Sequence, residues 1–157
     1  MSAVLDRAQA AAMRTTHRTD TKLDTLASLD LFSRCGRADL VRLSRLTTLA
    51  ERDAGTVLCT EGRAAREAFV IVEGEALVEI GGRPVATLGP GELLGEVALL
   101  DRGPRTGTVT AQTPMTLVAM SALEFAGILD DIVSVRNAVV RTVTRRLRSA
   151  DAMAGSL

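Results

Sequence analysis

Aromatic side chains are nearly absent from this chain. Phe32, Phe69 and Phe125 are the whole supply, with no Trp and no Tyr. A core must therefore be built from Val, Leu, Ile and Ala. A platform that stacks single-stranded bases on aromatic rings has nothing to be made from. An excess of either charge is also missing, because nineteen basic side chains balance nineteen acidic ones. No net positive field gathers a polyanion, so nucleic acid is not an expected partner. Cysteine and histidine are scarce: Cys35, Cys59 and His17 are all there is. They are too few and too scattered for a disulfide framework or a zinc site, and no other cluster has metal-ligand spacing. They also supply no nucleophile paired with a base, so no enzyme and no cofactor is expected. The two thiols read as free and buried, in a reducing cytoplasm. No run approaches the roughly 18 apolar residues of a membrane span. Residues 1–21, interrupted by Asp6, Arg7, Arg14 and Arg18, lack the apolar stretch of a secretory signal. A cytoplasmic chain without a membrane partner is the expectation.

What is there suits one folded domain. The 157 residues, 46% apolar and 24% charged, can bury a sizeable core. Residues 1–21 read as a frayed helix or a flexible tail, residues 22–150 as the domain, and residues 151–157 as a loose C-terminal tail. From Lys22 to Leu49 the leucines Leu23, Leu26, Leu29, Leu31, Leu40, Leu43 and Leu46 recur near helical spacing, broken at Cys35-Gly36-Arg37. Asp39 favours the start of the second piece.

The middle changes period. Ten of the thirteen glycines fall between Gly55 and Gly107. Between them lie short apolar runs: Val57–Cys59, Phe69–Val72, Ala76–Ile80, Val85–Leu88, Thr108–Ala111 and Met115–Met120. Short β-branched runs punctuated by glycine turns indicate an antiparallel sandwich or barrel. Gly81-Gly82 suits a two-residue hairpin turn, since both positions accept positive φ. No gap holds a crossover helix, which argues against a parallel sheet. Helix returns at Ser121-Ala122-Leu123-Glu124, a capping box opening a helix to about Leu129. Asp130-Asp131 then reads as the acidic start of a longer helix. Its stripe Ile132, Val135, Val139, Val143 and Leu147 can serve as a homodimer seam or pack on the chain's own sheets. Arg136, Arg141, Arg145 and Arg148 occupy the other side.

The segment Gly95-Glu96-Val97-Ala98-Leu99-Leu100-Asp101-Arg102-Gly103-Pro104-Arg105-Thr106-Gly107-Thr108-Val109 carries the chemistry. A glycine before a short helix lets backbone approach a ligand and exposes amides that attract an anion. Arg105 offers a fork that can bond two phosphate oxygens, and Thr106 adds a hydroxyl. Glu96 repels phosphate but accepts from a sugar hydroxyl. Together they suit a singly charged phosphate joined to a sugar. A triphosphate would want a Walker lysine and metal-binding carboxylates, which are not evident. Taken singly, such residues are ordinary turn and salt-bridge residues; the ordered string inside a glycine-rich β region is what points to a site.

That string resembles the phosphate-binding cassette of the cyclic nucleotide-binding domain family, which includes bacterial catabolite activators, regulatory subunits of cAMP-dependent kinase and cyclic-nucleotide-gated channels. The family pattern is Gly-Glu-apolar-Ala-Leu, a variable loop, then Arg, a small or hydroxyl residue, Ala, Ser or Thr, and Val. Gly95, Glu96, Val97, Ala98, Leu99, Arg105, Thr106, Thr108 and Val109 match it, and the likeness runs from about Leu23 to Arg148. It implies a mainly β fold with flanking helices: an antiparallel β-roll (jelly roll) with N-terminal helices and two C-terminal helices. It further implies that Glu96 binds a ribose 2′-hydroxyl and Arg105 the phosphate. Backbone groups around Gly95 and Ala98, with Thr106, complete the grip. Val78, Val85 and Ala86 line sugar and base, or are plain core. Gly107 replaces the family's usual Ala, which should loosen the loop. Ala150 and Asp151 stand where catabolite activators place adenine-contacting hydroxyls, and Thr106 can accommodate guanine; cAMP is favoured over cGMP. The implied role is a sensor acting through a separate effector protein, since no helix-turn-helix, kinase, channel or acyltransferase segment follows. The alternative is a β-roll that mediates protein interaction without a nucleotide.

Overall fold

The computed structural model describes residue 7 and residues 21–155. Apart from residues 7 and 21, the expected N-terminal tail, His17 included, lies outside the described residues, and so do the side chains of Val97, Ala98, Ala150 and Asp151. Helix α1 covers residues 21–28 and leads through a 3-10 turn, Asp30–Phe32, to α2, Arg37–Arg45. Eight strands follow: β1 Thr48–Arg52, β2 Val57–Cys59, β3 Glu67–Glu73, β4 Ala76–Ile80, β5 Arg83–Leu88, β6 Leu93–Leu94, β7 Thr108–Ala111 and β8 Met115–Ser121. Helix α3, Glu96–Asp101, sits between β6 and β7, and α4, Ala122–Asp131, and α5, Val133–Gly155, close the chain.

The strands form two four-stranded sheets, ordered β1-β8-β3-β6 and β2-β7-β4-β5, with antiparallel pairs throughout. This is the expected β-roll. Side-chain alternation explains why β3 and β8 are nearly continuous apolar runs. Successive residues of a strand point to opposite faces, and the first sheet is covered on both. Phe69 and Ile71 of β3, Leu117 and Ala119 of β8 and Leu94 of β6 pack between the sheets with Ala76 and Val109. Their neighbours Ala68, Val70, Val118, Met120 and Leu93 pack against the helices, with Leu26, Phe32, Leu43, Phe125 and Ile128. All three phenylalanines are buried, one between the sheets and two under the helices. The Gly81-Gly82 turn has φ of 60° and 77° and joins β4 to β5, pairing Ile80 with Arg83. The Ser121–Glu124 capping box is formed in both directions.

Four expectations are corrected. The N-terminal helical stretch stops short of Leu49, because Thr48–Arg52 pairs with β8 as an edge strand. The two-residue β6, too short to show a period, completes the first sheet. Asp130 and Asp131 end α4 rather than start α5, and Asp131 is paired with Arg42 of α2 at 2.8 Å. The last helix runs on to Gly155, into the stretch expected to be a loose tail. Of the two fates open to the α5 stripe, Ile132, Val135 and Val139 take the internal one. They are 1–2% exposed in the chain's own core, with Val143 packed beside them. Of the five, only Leu147 is exposed.

Candidate functional site

Gly95 terminates β6 and opens α3 with a left-handed φ of 85°. That conformation turns the chain so that Glu96 becomes the first residue of α3, and glycine adopts it without strain. Glu96 is only 1% exposed, which is unusual for a carboxylate and requires a partner. The partner is Arg146, in the second half of α5. Its Nη1 donates to Glu96 Oε1, and its Nη2 donates to the carbonyl of Leu93 at 2.5 Å.

Arg105 is buried on the other side of Gly95. Its Nη1 donates to the Gly95 carbonyl at 3.0 Å and its Nη2 to the Glu67 carbonyl at 2.5 Å. Its backbone is clamped as well: Arg105 N–H donates to Arg63 O at 2.8 Å, and Gly62 N–H donates to Arg105 O at 2.9 Å. A guanidinium carries five donors, and the two side-chain bonds use two of them. Burial pushes the Cys59 thiol up; Arg105 pulls it down, and Glu96 and Glu67 add to the rise.

The structure brings Gly95, Glu96 and Arg105 together. Thr106 is exposed at the next position, and Gly107 is buried. A Cβ on Gly107 would stand 2.9 Å from the Glu79 carbonyl and 3.6 Å from Val78 Cγ1. The chain crosses β4 so closely there that an added Cβ fits only if a neighbour shifts. Val78 is partly buried against the inter-sheet core and pairs with Val109 and Ala86. Val85 and Ala86 lie on β5 and are exposed, so the core reading does not hold for them. A groove of about 710 Å³ runs between the cassette loop and α4, lined by Leu99, Leu100, Pro104, Leu123 and Phe125 among others, but not by Glu96 or Arg105.

Arg146 was not among the expected site residues. Its signal was present: the spacing Val139, Val143, Arg146 continues the core-facing stripe, so a charge stands where an apolar residue belongs.

The cyclic nucleotide-binding domain family model matches residues 50–131, just over half of the chain. The chain belongs to the cyclic nucleotide-binding domain family. It is 36% identical over 100 residues to a cyclic nucleotide-gated potassium channel of Rhizobium etli, covering 64% of this chain and 28% of the channel. It is 36% identical over 120 residues to the Pycsar effector protein PaPycTIR of Pseudomonas aeruginosa, covering 75% of this chain and 39% of that protein. The chain thus spans well under half the length of these relatives. Its fold matches the catabolite activator protein of Thermus thermophilus with a TM-score of 0.71 at 25% identity, covering 80% of this chain and 61% of that one. Among the described residues no helix is long and apolar enough to cross a membrane.

Proposed function

We propose that this domain is a cytoplasmic sensor of a cyclic mononucleotide, cAMP in preference to cGMP, and that it hands the binding event to a separate effector protein. The observation that carries the reading is the pair of anchors flanking Gly95. Arg105 is a buried guanidinium fixed by backbone carbonyls, and Glu96 is a buried carboxylate one residue beyond. Such an Arg recognises phosphate oxygens without reorganising, and such a Glu accepts from a sugar hydroxyl. Val78, with its partner Ala86, supplies apolar surface from β4 and β5, while Thr106 and the backbone around Gly95 and Ala98 complete the phosphate contacts. The ligand is communicated through α5, because Glu96 is joined to that helix through Arg146. A ligand that favours one seating of α5 shifts the population that an effector meets.

Titration calorimetry with cAMP and cGMP tests the reading. Saturable binding, tighter for cAMP and weakened on the order of 100-fold in Arg105→Ala, is expected. Arg105→Lys, which keeps the charge but not the fork, should fall between them. Circular dichroism of each variant separates lost binding from lost folding. Heat-silent titrations of the folded wild-type chain with both nucleotides, and no rise in melting temperature, would instead favour a β-roll that mediates protein interaction.

A further inference from the structure

We infer that Glu61 is a positioning residue for the apolar wall of the site. Its carboxylate tethers the β4–β5 turn to the loop that clamps Arg105, and so fixes where edge strand β5 stands relative to the phosphate anchor. The inference rests on the reading of Arg105, Val78 and Ala86 given above. Glu61 lies just beyond β2, in the loop that leads to β3. Its N–H donates to Thr108 Oγ1 at 3.1 Å. In the same loop Gly62 N–H donates to Arg105 O at 2.9 Å, and Arg63 O accepts from Arg105 N–H at 2.8 Å. Ala64 and Pro104 add an antiparallel bridge. Backbone groups thus bind this loop to the cassette from Pro104 to Thr108. The Glu61 side chain makes a different connection: its Oε2 accepts from Gly81 N–H, in the β4–β5 turn, at 3.1 Å.

The turn needs an outside partner for a reason of register. The β4–β7 ladder ends where Glu79 pairs with Thr108, so Ile80, Gly81 and Gly82 project past it. Strand β5 is the edge of its sheet and pairs with β4. The β4–β5 register also shifts between Val78 and Glu79, next to the Val78–Ala86 pair. Such an irregularity bends and twists a strand, and a two-stranded hairpin holds its own shape weakly. In a two-residue turn the bond across the ends leaves the first central N–H without a partner. Glu61 supplies that partner, with its own backbone already anchored on the residue that faces Glu79. Glu61 and Gly81 are both exposed, so the bond competes with water and carries the effect of one hydrogen bond, not of a buried ion. Removing the carboxylate leaves the clamp on Arg105 in place, because Gly62 and Arg63 make it through their backbones. The hairpin tip loses its tether, and Ala86 on the edge strand loses its fixed distance from the anchor. Loss of the Glu61 side chain should consequently weaken the base-dependent part of binding and spare the phosphate-dependent part.

The experiment titrates wild type, Glu61→Ala and Glu61→Gln with 3′,5′-cyclic AMP and with ribose 3′,5′-cyclic phosphate, which lacks the base. Circular dichroism and melting curves verify the fold of each. Amide hydrogen exchange read by NMR follows the Gly81 N–H. Wild type should prefer cyclic AMP by about tenfold or more, the scale of burying part of a base on an apolar wall. In Glu61→Ala that preference should shrink by about three- to tenfold, the scale of one hydrogen bond, with affinity for the base-free compound within about twofold of wild type. Gly81 should lose its exchange protection in the same variant. Glu61→Gln keeps a side-chain carbonyl for the Gly81 N–H, so it should restore both the protection and the preference to within about twofold. Equal weakening for both compounds would assign Glu61 a general structural role and overturn the inference. An unchanged preference in Glu61→Ala, or a Glu61→Gln chain as impaired as Glu61→Ala, would do the same. Each of these results leaves the nucleotide reading standing. Absence of binding of both compounds by the folded wild-type chain removes the nucleotide reading itself, and this inference with it.

Discussion

Arg105 Nη1 donates to the carbonyl of Gly95 at 3.0 Å, and a Cβ on Gly95 would collide with that same nitrogen. The glycine is thus required twice, once by its φ of 85° and once by the arginine lying against it. Gly95→Ala should displace the guanidinium, weaken cyclic-nucleotide binding by at least about tenfold and cost about 1–3 kcal/mol of stability. Calorimetric titration and thermal melting of the variant check both parts.

Gly107 presents a different case, since no unusual φ is involved. A Cβ there meets the Glu79 carbonyl at 2.9 Å and Ile80 Cγ1 at 3.2 Å, so β4 must shift to admit it. Gly107→Ala is expected to destabilise the domain by about 1–2 kcal/mol. For a domain of this size the melting midpoint should fall by roughly 2–4 °C per kcal/mol. A midpoint equal to that of wild type would contradict the close crossing.

The capping box at the start of α4 joins β8 directly to the helical layer. Ser121 Oγ accepts from Glu124 N–H at 3.1 Å, and Glu124 Oε1 accepts from Ser121 N–H at 2.9 Å. Replacing Ser121 by Ala should cost about 1 kcal/mol, read as a lower denaturation midpoint at an unchanged slope with urea. Nucleotide affinity should stay within about twofold, because neither anchor touches Ser121.

The two thiols give a prediction with a sign. Burial pushes both Cys35 and Cys59 above the ordinary thiol value of 9.0, so the folded chain holds its thiol protons more tightly than the unfolded chain. The associated stability is fully present below pH 9.0, and it is lost as pH rises from there through the folded values. Chemical denaturation between pH 7 and pH 10 should show the thiols' share of the stability declining above about pH 9, read as the difference between wild type and Cys59→Ala, because Lys22, its pKa lowered by burial, moves the total the other way. Cys59→Ala should flatten that decline. At neutral pH a thiol reagent should modify Cys35, which is partly exposed, before buried Cys59.

Much of this protein could be read from local pattern. Ala76–Ile80 and Thr108–Ala111 emerge as strands with the expected ends, because two-residue alternation and flanking turns are short-range signals. The cassette glycine and its two anchors are likewise contained in one fifteen-residue string. The edge strand Thr48–Arg52 carries little local signal, for a physical reason. It is half exposed, it lacks a β-branched run, and it directly follows a leucine-rich helix. Leu93–Leu94 is a strand only because β3 lies beside it.

Periodicity and the order of residues from Gly95 to Val109 were enough to determine the class of fold and where its chemistry lies. Those features act over a few residues and survive in any arrangement of the chain. Tertiary structure alone decided which α5 arginine meets Glu96, and that the Ile132–Val139 stripe is spent on the chain's own core. Both depend on how a helix lands on a sheet formed many residues earlier, and the burial and charge pairing that settle it exist only after packing.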